Sequence, residues 1–377
     1  MSPIRQDAQA PQRGPRSSEQ GTGHRKRLRG VRKIRNKELG PFTIRLATML
    51  EAGLPLVQCL GGLAEQTDNE TFHNVVEDLR QRIEAGDSFA EALANYPQLF
   101  NNLYVNMVKS GESGGSLPEV LARLGGYMEA SAALKRRVVS AMTYPVMVLG
   151  MSIVLTVLMI LFIVPKFAEI YEDFDSALPA PTQFLVNLSF LIRENVLIVA
   201  AVLFALAYAV RALKKTPRGA YLWDRYVLRT PVAGKLIIKI ALARMSRTFA
   251  SLVRSGVPIL RTFEITSQAT GNTYLGTALT QSGHDVEGGS ALAPALKRTG
   301  VFPPMLIHMV SAGEKTGNVD GMLEKVADFY EDEVSNMLEA LSSMIEPLLM
   351  AVLGVVIGGI VICMFLPIFK MHEIVGA

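Results

Sequence analysis

The chain carries one unit twice. Gly53-Leu54-Pro55-Leu56 answers Gly256-Val257-Pro258-Ile259, and Ile83-Glu84-Ala85-Gly86 answers Val286-Glu287-Gly288-Gly289, both 203 residues apart. Past one deleted residue the offset is 202: Phe100 meets Phe302, Met107-Val108 meets Met309-Val310, Gly111-Glu112 meets Gly313-Glu314, Gly115 meets Gly317 and Leu121 meets Leu323. Tyr144-Pro145 then meets Glu346-Pro347, and Pro165-Lys166-Phe167 meets Pro367-Ile368-Phe369. Any two amphipathic helices match at some positions, but shared helical composition does not place glycine and proline, which answer to local backbone conformation. A period this long marks duplicated domains, not a solenoid of 20 to 50 residue units.

Each copy reads as helices joined by short turns. Leu46, Met49, Leu50 and Leu54 recur at helical spacing, as do Val76, Leu79 and Ile83, and later Leu117, Val120, Leu121 and Leu124. No convincing period of two appears. Ser88 with Glu91 three residues on predicts a capping box that opens a short helix. Each copy ends in an uncharged run, 27 residues from Val138 to Val164 and 23 from Pro347 to Phe369. Both exceed the roughly 20 residues that cross about 30 Å of hydrocarbon. A weaker run, Asn195 to Val210, is 16 residues before Arg211, whose long side chain can snorkel. Lys135-Arg136-Arg137 before the first run, and Arg211, Lys214, Lys215 and Arg218 after the second, put their flanks in the cytoplasm. The acidic stretch between them, with Glu169, Glu172, Asp173, Asp175 and Glu194, then lies outside.

The reading is an all-α integral membrane protein with two homologous cytoplasmic helical-bundle domains and three transmembrane helices. Its parts are a basic tail at 1–39, bundles at 40–137 and 214–343, spans at 138–164, 195–213 and 344–369, an outer loop at 165–194 and an outer tail at 370–377. The 49% hydrophobic content and positive mean hydropathy fit that class. The tail holds eleven Lys or Arg against Asp7, Glu19 and Glu38, with few large apolar side chains, a composition expected to stay disordered. It lacks a secretory apolar core and is expected in the cytoplasm, where its charges can hold anionic lipid headgroups. It also lacks the interleaved aromatics of a nucleic-acid binder.

Catalytic signatures are not found. Gly313-Glu314-Lys315-Thr316-Gly317 suggests a phosphate loop, but Glu314 separates Gly from Lys and the other copy, Gly111-Glu112-Ser113-Gly114-Gly115, has no lysine. The five histidines are scattered, and the two cysteines, Cys59 and Cys363, fit no zinc cluster. No enzyme activity, cofactor or metal is expected. The carboxylates Asp328, Glu331, Asp332, Glu333 and Glu339 read as a solvated helix face. Gly111-Glu112 and Gly313-Glu314 form the sharpest polar repeat. A turn glycine and a helix-starting glutamate explain each locally, and two equivalent docking edges for a partner are the functional alternative. Gly354 and Gly358 form a small-xxx-small pair that lets another transmembrane helix approach closely.

The segments Phe42-Thr43 to Gly53-Leu54-Pro55-Leu56, Phe302-Pro303-Pro304-Met305 through Gly313-Glu314-Lys315-Thr316-Gly317, and Leu366-Pro367-Ile368-Phe369 resemble the type II secretion system F family. The resemblance covers residues 42 to 371, with Ile44-Arg45 where members often have Arg-Gln. It implies a non-catalytic platform protein of the bacterial inner membrane, with the outer loop and tail in the periplasm. It further implies that the platform couples a hexameric cytoplasmic assembly ATPase to the extraction and stacking of pilin or pseudopilin helices, alongside other inner-membrane assembly proteins and as a homo-oligomer. On that reading Gly111, Glu112, Gly313 and Glu314 shape the face toward the ATPase, and Gly354 and Gly358 set span packing. The rival reading is a membrane subunit of an ATPase-driven transporter.

Overall fold

The computed structural model describes residues 38–172 and 180–375, and among them helices and turns occur without a strand. The expectations for the basic tail fall on residues outside that set. The chain divides into two compact units, one ending at Gly126 and the other beginning at Tyr127.

The first unit contains α1 (Leu39–Glu51), α2 (Leu56–Glu65), α3 (Glu70–Glu84), α4 (Phe89–Ala94), α5 (Asn102–Ser113) and the opening of α6 (Leu117–Leu158). Helix starts are set by side chains that satisfy the first free N–H groups. The Asn69 side chain accepts from Thr71 and Phe72, Asn101 from Tyr104, and Ser88 with Glu91 forms the capping box the sequence predicts. Gly53, Gly86 and Gly115 reverse the chain with φ of 82°, 103° and 68°, a region that disfavours side chains. Leu46, Leu60, Phe72, Val76, Leu79, Phe89, Leu93, Phe100, Met107 and Leu121 fill the core.

In the second unit α6 runs on into a π-helical turn (Met159–Ile163) and α7 (Val164–Glu172), followed by α8 (Ala180–Glu194), α9 (Val196–Lys215) and α10 (Pro217–Val227). The second bundle then comprises α11 (Ala233–Arg254), α12 (Ile259–Ala269), α13 (Thr273–Glu287), α14 (Leu292–Arg298), α15 (Pro304–Thr316) and α16 (Val319–Val375). The duplication is structural to the residue. Leu56, Glu70 and Phe89 start helices where Ile259, Thr273 and Leu292 do, at offset 203, and Asn102 and Leu117 start them with Pro304 and Val319 at 202. The lost residue falls in the connection after α4 or α14, where a deletion disturbs no helix. Gly256, Gly289 and Gly317 repeat the positive φ of Gly53, Gly86 and Gly115.

The two cores use the same positions with redistributed volume. Leu60 and Phe72 of the first correspond in the repeat to Phe263 and Leu275 of the second, so each keeps one aromatic and one leucine. Polar detail is not shared. The buried Thr43 hydroxyl is 3.0 Å from that of Tyr104, whereas Ser246 and Leu306 occupy those places and the buried Ser246 hydroxyl is unpartnered among the described residues. Burial pushes the Tyr104 hydroxyl pKa upward, keeping it a neutral donor or acceptor.

Two continuous helical stretches, 117–169 and 319–366, are long and apolar enough to cross a membrane. Their outward residues, such as Val146, Met147 and Val154 on α6 and Val355 and Ile362 on α16, are apolar. Helix α9 has 20 residues, about 30 Å at the helical rise, with Leu197, Phe204 and Leu206 exposed. Much of the stretch expected as an outer loop is helical: α7 and α8 close a separate apolar cluster of Ile160, Val164, Ala168, Val186, Ile360 and Met364. Thr182 donates to the carbonyl of Cys363 there. Beyond Gly126, Leu134 and Val138 of α6 pack into the core of the second unit.

Candidate functional site

The polar repeat resolves into two junctions of the same construction. Gly111 and Gly313 lie inside the last turns of α5 and α15, not in turns, because the next helix starts against them. A Cβ on Gly111 would sit 2.9 Å from Val120 Cβ and 3.2 Å from Leu117 Cα, and one on Gly313 would sit 2.8 Å from Val319 Cα. The chain turns over each glycine carbonyl, which accepts from Ser116 N–H in one copy and Asn318 N–H in the other, both at 2.9 Å.

Glu112 and Glu314 start no helix of their own. The Glu112 carboxylate reaches the amino terminus of α4 and accepts from Phe89 N–H at 2.6 Å and Ala90 N–H at 3.1 Å. Glu314 does the same for α14, accepting from Leu292 N–H and, at 2.9 Å, from Ala293 N–H. Each is a two-point cap delivered from a neighbouring helix, where the helix dipole also favours negative charge. The surroundings differ instructively. In the first copy Ser88 and Glu91 exchange hydrogen bonds at the cap, so all four leading N–H groups of α4 are satisfied. In the second, Ala291 stands for Ser88 and Pro294 for Glu91. Proline has no N–H to satisfy and Ala291 offers no side-chain acceptor, so among the described residues the Glu314 carboxylate caps α14.

The charges ahead of the last span are organised rather than simply solvated. Three cations of α11 face acids of α16 in antiparallel order. Lys239 pairs with Glu333, Arg247 bridges Asp328 at 2.7 Å and Glu331 at 2.8 Å, and Arg254 bridges Asp320 at 2.9 Å and Glu324 at 2.5 Å. Sequence reading missed this ladder. The signal was a basic stripe at residues 239, 247 and 254 opposite an acidic stripe at 320, 324, 328 and 331, legible once the two helices are known to be antiparallel neighbours. Among the described residues the first copy shows no counterpart: Ile44 replaces Arg247, and its Cγ1 lies 2.7 Å from where a Cβ on Gly125 would fall.

Burial is the largest influence on the Asp320 carboxyl and works against its charge, but the hydrogen bond from Arg254, the Arg254 charge and backbone N–H groups together outweigh it and hold the carboxyl below its ordinary value. A depressed carboxyl contributes stability that is complete above its unfolded pKa of about 3.9 and fades as pH falls through the folded value. The second bundle is therefore expected to lose this contribution below about pH 4, and Asp320→Asn to flatten that acid limb when melting is followed against pH. An unchanged acid limb in the variant would remove the ladder's role.

Gly354 and Gly358 lie on α16, and a Cβ on either would meet nothing within 4 Å. No helix of this chain uses that surface among the described residues.

The family model for type II secretion system (T2SS), protein F, matches residues 42–165 and 245–367. The chain belongs to the type II secretion system F family. The two matches start 203 residues apart and end 202 apart, reproducing the duplication and its deleted residue. Among relatives of this family member, a type IV pilus assembly protein PilC of Myxococcus xanthus is 41% identical over 338 residues, covering 90% of this chain and 81% of the relative. The protein of the same name from Thermus thermophilus is 42% identical over 336 residues, covering 89% and 82%. A type II secretion system protein F of Xanthomonas campestris is 32% identical over 341 residues, covering 90% and 84%.

Proposed function

We propose that this T2SSF protein is a non-catalytic platform of a type IV pilus or type II secretion machine, anchored in the bacterial inner membrane. It couples a cytoplasmic hexameric assembly ATPase to the extraction and stacking of pilin or pseudopilin helices. Supporting the reading most directly is α16, which contributes Leu323, Val326, Tyr330, Val334 and Leu338 to the second core and continues without a break to Ile360 and Met364 in the apolar cluster. A helix packed at both ends passes displacement between them, because close-packed elements shift as rigid bodies. The higher identity to the pilus assembly relatives quoted, 41% and 42% against 32%, favours the pilus branch.

The proposed topology has cytoplasmic bundles, three spans including α9, and an outer segment built from α7 and α8. Removing the gene product is expected to abolish surface fibres or secretion while the pilin-like subunit still accumulates in the membrane. Normal fibres without this chain, or ATP hydrolysis by the purified chain alone, would sink the proposal.

Docking of the ATPase near Gly111, Glu112, Gly313 and Glu314 is part of the proposal. Lysine at Glu112 or Glu314 would remove a helix cap together with any contact. Ser113 and Lys315 separate the two effects, being exposed and repeat-equivalent. Ser113→Glu with Lys315→Glu is expected to weaken co-purification with the ATPase at unchanged melting temperature, and full retention would move the docking face elsewhere.

Gly354 and Gly358 are proposed to pack against a second copy or a pilin helix. Gly354→Leu with Gly358→Leu is expected to leave the isolated chain's stability within about 0.5 kcal/mol and to eliminate fibre assembly. Wild-type assembly by this variant would show that the surface faces lipid only.

A further inference from the structure

Helix α10 presents two unlike faces. One is docked on α13: the Tyr221 ring packs at a tilt against Tyr274 with centroids 5.6 Å apart, Arg225 lies 5.9 Å from the same ring, and Asp224 accepts from Thr273 N–H at 2.6 Å. The acid of this helix is thereby used inside the protein. The opposite face carries Leu222, Trp223 and Tyr226, exposed by 50%, 42% and 64%, and none of them is in either apolar cluster of the second unit. At 100° per residue these three fall within one sector of the helix, away from Tyr221, Asp224 and Arg225.

Basic groups surround that sector. The Lys214 ammonium sits 4.0 Å from the Trp223 ring centroid, and the Arg229 guanidinium lies 5.8 Å from that of Tyr226. Only Thr216 separates α10 from the apolar helix α9, whose Leu197, Phe204 and Leu206 are exposed. An amphipathic helix with aromatic and leucine residues on one side and cations at its border, directly continuous with a membrane-length helix, matches the physics of the bilayer interface.

We infer that α10 lies in the plane of the membrane surface and anchors the second bundle to anionic phospholipid headgroups. This inference rests on the proposed crossing of α9. Indole and phenol rings settle at the headgroup level, and Lys214 and Arg229 supply charge complementary to acidic lipid, each basic residue strengthening attraction by about fivefold. A soluble protein partner would instead leave this face in water when only lipid is offered.

Trp223 is the single tryptophan of the chain, so its fluorescence reports this face alone. The full chain is reconstituted into phosphatidylethanolamine vesicles with or without phosphatidylglycerol, carrying bromine either near the headgroup or near the acyl terminus. Blue-shifted emission is expected, quenched more by shallow than by deep bromine, with quenching raised by phosphatidylglycerol and lowered by salt. Leu222→Asp with Tyr226→Asp is expected to shift the emission red and abolish the quenching. Emission of a water-exposed indole that neither bromolipid quenches, protection that needs an added protein, or stronger quenching by deep bromine each overturns the anchor. The crossing of α9 is read separately by labelling Asn195→Cys, in a chain with Cys59→Ala and Cys363→Ala, with an impermeant maleimide from the outer side. Labelling with an unquenched Trp223 removes the anchor alone. Failure to label with a quenched Trp223 removes the crossing and leaves the anchor.

Discussion

Glu314→Ala is expected to cost the second bundle about 2–4 kcal/mol, and Glu112→Ala to cost the first about 1–2 kcal/mol. Both substitutions remove two charge-assisted hydrogen bonds to an amino terminus that packing holds in place. The difference comes from what remains. Helix α4 keeps the reciprocal Ser88 and Glu91 bonds, whereas α14 has alanine at its cap position and loses its side-chain acceptor outright. Donors shielded from water and left without partners cost more than the same bonds contribute, and the half-buried N–H groups of Leu292 and Ala293 are those donors. Thermal unfolding of the full chain in detergent, with limited proteolysis to tell which bundle opens, measures the effect. Equal losses in the two bundles would refute the account of Pro294 and Ala291, and no loss in either would refute the caps.

Gly313→Val is expected to be comparably damaging, at about 3 kcal/mol, the upper end of the roughly 1–3 kcal/mol that added methyl groups cost in an overpacked core. The first added carbon meets Val319 Cα at 2.8 Å, which is backbone and cannot rotate aside. Relief requires moving the start of α16, and α16 also carries the ion-pair ladder and the continuation into the membrane. Gly111→Val is expected to be comparable in the first bundle, since Val120 Cβ at 2.9 Å and Leu117 Cα at 3.2 Å are equally fixed. Proteolytic sensitivity of each bundle reports the outcome. A Gly313→Val chain that melts with the parent would mean that the close approach of α15 to α16 is not needed.

Much of the architecture was legible because glycine and proline carry backbone information. The repeated Gly53, Gly86 and Gly115 have positive φ in both copies, and the turns they make fix helix lengths to the residue. The capping box at Ser88 was legible for the same local reason. The glutamate beside Gly111 was noticed but misassigned. Proximity in sequence suggested that it started the next helix, while its carboxylate is consumed 22 and 23 residues upstream. Its partner helix is brought close by packing, which a local reading does not contain.

The ladder between α11 and α16 and the outward face of α10 were unread for a related reason. Charges on one helix look solvated until the neighbouring helix is placed, and an amphipathic stretch looks like core until a second element fails to cover it. Residues 165–194 are placed as an outer connection by the basic flanks of the runs on either side, which says nothing of their local structure; α8 buries Val186 against α16, and helical structure follows from that burial.

Sequence alone determined the duplication, the helical class and the apolar runs, because turn geometry, amphipathic period and hydrocarbon thickness act over a few residues or one helix. Tertiary structure decided where each unit ends, which carboxylates cap which helices and which faces stay open. Those outcomes depend on contacts between segments far apart in the chain, whose free energy exists only once both are packed.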